Sequence, residues 1–92
     1  MKIALVGGGK AALTLLDFFS ELEQAEIVGI SDIREDAPGI ARARKLGIAT
    51  TQKTEELIKN PQSEIIIELT GNSQVKSSIE AHSRPEQEDY VR

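Results

Sequence analysis

The chain contains no cysteine and no tryptophan, and its aromatic side chains make up 3% of 92 residues. Without cysteine there can be no disulfide, no thiolate metal site and no cysteine nucleophile. Without aromatic bulk, the core must come from Ile, Leu, Val and Ala, which suits parallel strands buried on both faces by helices. Long apolar runs are missing as well. The N-terminal one spans only Ile3 to Val6, too short for a signal peptide or a membrane span, so a soluble cytoplasmic protein is expected. Basic clusters are absent: 11 basic against 15 acidic residues leave a net charge of −4. That balance argues against nucleic acid or an anionic membrane as partner. His82 is the only histidine, expected at the surface, and no Ser/His/Asp, Cys/His or metal-ligand constellation is apparent.

What is present is an alternation of two periodicities. Residues 2–6 form an apolar stretch of strand type. Over residues 10–22, Ala12, Leu15, Leu16, Phe19 and Leu22 repeat at helical spacing, with Ala11 and Phe18 widening that face. A second strand is expected at 26–31, where Gly29 suggests a close approach to the backbone. A second helix should start near Pro38 and end at Gly47. Then come a short strand at 48–50, a helix at 53–59 stopped by Asn60-Pro61, a strand at 64–69 and a helix at 73–81. Strands alternating with helices predict an α/β fold, a Rossmann-like parallel sheet of about four strands with flanking helices. Residues 1–82 are expected to form one such domain, incomplete beside the usual six strands. Residues 83–92 are expected to be a polar tail without a further strand, which leaves a sheet edge open for a homodimer or a further domain.

The first strand runs into Gly7-Gly8-Gly9-Lys10-Ala11-Ala12, and the second ends at Asp32. Gly7, Gly9 and Ala12 fit G-x-G-x-x-A, the turn that brings a dinucleotide pyrophosphate onto a helix N-terminus. Gly7 permits the sharp turn, Gly9 lets the pyrophosphate approach the backbone, and Ala12 keeps helix and strand close. Gly8 adds backbone freedom that the pattern does not demand. Ala11 stands where a magnesium-binding P-loop needs Ser or Thr. Asp32 follows Ala12 by 20 residues (32 − 12), the place of the carboxylate that holds the adenosine ribose. A carboxylate there favours NAD over NADP, whose 2′-phosphate it would repel. Arg34 could soften that preference, and Lys10 could neutralise phosphate.

Thr70, Gly71 and Asn72 follow the fourth strand, at the carboxyl edge of the sheet where open α/β sheets bind ligands. They are candidates to touch the pyrophosphate or the nicotinamide ribose. Glu68 is a carboxylate in an otherwise apolar strand. It either reaches the crevice or points to solvent at an edge, and a structural role is expected.

On Val6 to Ala12, Ile30-Ser31-Asp32 and Ile66 to Asn72, the chain resembles the N-terminal NAD(P)-binding domains of homoserine dehydrogenase, dihydrodipicolinate reductase and the glucose–fructose oxidoreductase / inositol dehydrogenase family. The stretch from Ala41 to Ile58 is similar to the segment those families place between their second and fourth strands. The resemblance covers residues 1–82. It implies that Gly7, Gly9 and Ala12 line the pyrophosphate, that Asp32 holds the ribose and that Thr70 to Asn72 border the nicotinamide side. The Glu-Lys-Pro motif of the sugar oxidoreductases is missing, and no residue matches a catalytic residue of these enzymes. The expectation is the cofactor module of an NAD(P)-dependent oxidoreductase, present as a fragment. A non-catalytic NAD(H)-sensing regulatory domain and an α/β protein-contact module are the alternatives.

Overall fold

The computed structural model describes residues 1–71 and 89–91. The elements are β1 (Lys2–Val6), α1 (Lys10–Ser20), β2 (Glu26–Ser31), α2 (Pro38–Lys45), β3 (Thr50–Thr51), α3 (Thr54–Lys59), β4 (Ile65–Glu68) and β5 (Asp89–Val91). All strand pairings are parallel, and the sheet order is β3-β2-β1-β4-β5. The fold is therefore α/β and Rossmann-like, and the four expected strands are all there. The fifth corrects the expectation for the tail. Asp89–Val91 pairs with Ile65–Ile67 through backbone groups, and so short a strand at the end of the described sheet needs no apolar run. The expected helix at 73–81, Asn72 and His82 lie outside the described residues.

β1 occupies the centre, and its side chains alternate between two cores. Ile3 and Leu5 pack with Ala12 and Leu16 of α1, Ala37 just before α2, and Ile40 and Ala43 within it. Ala4 and Val6 face the other way and pack with Leu57 and Ile58 of α3 and with Ile66. Among the described residues, the second core is covered by the six-residue α3. Gly29 makes this possible: a Cβ there would stand 2.7 Å from Leu57 Cδ1. The β1–β2 register also shifts next to it, between Ile3 and Ala4, which pair with Ile27 and Gly29.

Element ends follow local chemistry. α2 closes with Gly47 at φ +74°, and the Ile48 N–H donates to the Ala43 carbonyl at 2.9 Å. This is the paired-bond stop that a left-handed glycine allows. It uses Ile48, so β3 begins at Thr50 rather than at 48 as the pattern suggested.

Candidate functional site

The sheet order reverses between β1 and β4, because β2 and β3 lie on one side of β1 and β4 and β5 on the other. In open α/β sheets the crevice at such a point, beyond the carboxyl ends of the strands, is where ligands sit. Three turns meet there: the glycine turn after β1, the turn after β2 and the turn after β4. They border a cleft of about 880 Å³ lined by Gly7, Gly9, Ser31, Asp32, Ile33, Arg34, residues 52–56, Leu69 and Thr70.

The glycine turn is fixed from three directions. The Gly7 N–H donates to the Ser31 carbonyl at 2.7 Å, which extends the β1–β2 ladder by one residue. Gly7 sits at φ +112°, and a Cβ on it would lie 3.1 Å from Thr70 Cγ2 and 3.2 Å from Thr70 N. Both its conformation and its neighbours therefore require glycine. Gly8 is packed closely as well: a Cβ there would stand 3.0 Å from Ile40 Cγ1, a side chain that would have to give way. Its carbonyl accepts from the Gly39 N–H at 2.6 Å, so α2 braces the turn. Gly39 fits only because a Cβ would lie 2.6 Å from that same oxygen. The spacing pattern carries no trace of this contact.

Gly9 differs from both. Among the described residues, its chain neighbours aside, no atom lies within 4 Å of where its Cβ would be, and its φ of −77° is ordinary. Nothing among the described residues requires a glycine at this position, and the open space leaves the backbone approachable. Gly9 caps α1 without a side-chain cap bond, and the first turn holds no acidic residue. The N–H groups of Lys10 and Ala11 stand in the first turn, where the helix offers them no partner, and the dipole there favours an anion. Ala12 is fully buried against the sheet, as the close-packing position requires. The Lys10 side chain is exposed.

Asp32 lies one residue beyond β2, half-buried. Its Oδ2 accepts from the Gly8 N–H at 2.8 Å and its Oδ1 from the Arg34 N–H at 2.8 Å. Each oxygen accepts one backbone bond, so each keeps capacity for another donor. The carboxylate is thus held beside the glycine turn and faces the cleft. Arg34 turns its guanidinium towards Asp36, 3.5 Å away, and its side chain is 68% exposed.

Thr70 and Leu69 form the wall on the β4 side. Glu68 is 4% exposed, so it does not point to solvent. Its Oε1 accepts from the Thr70 N–H at 2.6 Å and from the Gly71 N–H at 3.0 Å, as well as from the Thr70 hydroxyl. Gly71 takes φ +69° and stands outside the cleft lining.

The remaining wall was missed by the sequence reading. Ile33 is 82% exposed, and its carbonyl accepts from Gln52 Nε2 at 3.1 Å. Ser31 and Thr54 hydroxyls meet at 3.0 Å, tying the start of α3 to the end of β2. The only available signal was position: these residues follow β2 and β3 at the same edge of the sheet. Among the described residues no cluster of His, Asp and Glu could hold a metal, and no helix is long and apolar enough to cross a membrane.

No family model matches the chain, and no curated protein does. Solved structures do match. A probable dehydrogenase from Thermotoga maritima shares 21% identity over 89% of this chain and 26% of its own, with a TM-score of 0.76. A Desulfitobacterium hafniense protein assigned as an NADPH-dependent oxidoreductase shares 22% over 99% and 26%, with a TM-score of 0.78. An NAD-binding protein from Listeria innocua shares 20% over 90% and 25%, with a TM-score of 0.69. The chain spans about a quarter of the length of each of these structures. At such identities the likeness establishes the fold: a Rossmann-like α/β domain.

Proposed function

We propose that this chain is the NAD(P)-binding module of an NAD(P)-dependent oxidoreductase, with NAD preferred over NADP. The observation that carries the reading is the Asp32 carboxylate, held by the Gly8 N–H at the mouth of the cleft. A ribose diol donates two hydrogen bonds, and Asp32 offers two oxygens with spare capacity. The group fits the residues present. Gly9 leaves room for a pyrophosphate, and the uncapped start of α1 offers N–H groups to it. Lys10, Ala11 and Ala12 surround that point, and Gly7 sets its angle. Thr70 borders the second nucleoside, with Gly71 and Asn72 next in the chain. When bound, the nicotinamide supplies hydride transfer. The chain's own residues bind and orient it.

The preference for NAD rests on charge. A 2′-phosphate at the ribose would meet Asp32, and the Arg34 guanidinium is engaged with Asp36. The structural neighbours support the class of cofactor, since their descriptions include a dehydrogenase, an NADPH-dependent oxidoreductase and an NAD-binding protein. On this reading the chain, with Asp89–Val91 in its sheet, serves as the binding domain in a cytoplasmic protein, and a further domain or a second copy covers the sheet edge.

Calorimetric titration with NAD, NADH, NADP and NADPH tests the proposal, with Asp32→Ala alongside. NAD or NADH should bind more tightly than the phosphorylated pair, and the variant should lose that preference. Failure of all four to bind refutes it. An NAD(H)-sensing regulatory domain would bind in the same way without turnover in the intact protein. An α/β contact module would bind none of the four.

A further inference from the structure

Glu68 is a carboxylate that the fold could do without. It ends β4 opposite Val6. It also shares the period-two face of Ile66, which packs in the apolar core beneath α3. Burying a charge there is costly unless hydrogen bonds offset it. Three do, all converging on one oxygen: the N–H groups of Thr70 and Gly71 and the Thr70 hydroxyl. Both turn residues are exposed, so water could have satisfied those N–H groups and an apolar side chain could have filled the core. What the carboxylate adds is one fixed arrangement of the turn, since charge-assisted bonds are the strong ones.

That arrangement has a place in the cleft. Thr70 and Leu69 line it, and Thr70 is seated where Gly7 lacks a Cβ. With the adenosine ribose at Asp32 beyond β2 and the pyrophosphate on the glycine turn after β1, the chain of a dinucleotide continues towards β4. We infer that Glu68 is a positioning residue: from beneath the turn, through its bonds to Thr70 and Gly71, it holds Thr70 as part of the wall that receives the second nucleoside. It should therefore govern affinity for the half of the ligand farther from Asp32. This inference rests on the proposed binding of a dinucleotide with its adenosine ribose at Asp32.

The test compares NAD with ADP, which lacks the second nucleoside, by calorimetry on the 92-residue chain and on Glu68→Ala and Glu68→Gln. The ratio of NAD to ADP affinity should fall about tenfold in Glu68→Ala, with ADP affinity unchanged, because the turn loses its charged acceptor. Gln keeps an acceptor oxygen of the same reach, so its ratio should fall only about threefold. Glu68→Gln decides the matter if the alanine variant does not melt cooperatively. A ratio unmoved in both variants, or equal weakening of NAD and ADP, overturns the role of Glu68. A parent chain that binds neither nucleotide overturns the dinucleotide reading itself, and this inference with it. A parent that binds both while the variants keep its ratio overturns the inference alone.

Discussion

Asp32 and Glu68 stand at the ends of the two strands that flank β1, and the same functional group behaves oppositely in them. Asp32 is half-buried, and its two oxygens each take one backbone N–H. Glu68 is buried, and one of its oxygens takes three donors from its own turn. The first carboxylate is presented to the cleft and the second is presented to the protein. A carboxylate at a strand end therefore declares nothing by its type. Its role depends on how many donors the following turn brings to it: one N–H after Asp32, three groups after Glu68.

The strongest perturbation should strike both ends at once. Gly7 lies between them, in a conformation that L side chains avoid and against the Thr70 backbone. Gly7→Ala should cost about 2–3 kcal/mol of stability, measured by urea denaturation, from backbone strain and displacement of the Thr70 turn. Asp32→Ala should break one end only. We expect NAD affinity to fall about 10- to 100-fold by calorimetry as the charged acceptor is lost. The fold should lose only about 1 kcal/mol, because two backbone donors lose their partner at a partly wet site. Combining Asp32→Ala with Glu68→Gln sharpens the contrast. If the ends act separately, the two losses of NAD affinity should add to within about 0.5 kcal/mol. Marked coupling would mean that the carboxylates share one device. Arg34→Ala should do least. Its ion pair with Asp36 is exposed, and such pairs contribute about 0–1 kcal/mol. NAD affinity should stay within about twofold.

Much of the β1-α1-β2 unit was legible in the chain, because there each local signal agrees with the fold. The apolar run of β1, the glycine spacing and Asp32 at the end of β2 each mark a boundary that the structure keeps. Gly29 and Gly47 also stand where close packing and a helix stop need them. What escaped the sequence depends on contacts between distant segments. Gly8 looked dispensable because its neighbour Ile40 comes from α2. Gly39 carries no signal of its own, because Gly8 is what it touches. Gln52 and Thr54 join the cleft only because β3 lies beside β2. Asp89–Val91 is only three residues long, too short for a strand pattern to show in the sequence. Glu68 gave away its oddity but not its direction, which is decided by the turn folding back over it.

Gly9 offers the most direct test of the central claim, because ligand binding and folding make opposite demands there. Among the described residues, its chain neighbours aside, no atom lies within 4 Å of a methyl group at that position, whereas a pyrophosphate on the start of α1 would meet it. The decisive measurement is NAD titration of Gly9→Ala beside the parent chain, with urea denaturation of both. The account predicts that the parent binds and that the variant binds at least about 100-fold more weakly, while its stability stays within about 1 kcal/mol. A variant that binds NAD as well as the parent would contradict the placement of a dinucleotide on the glycine turn.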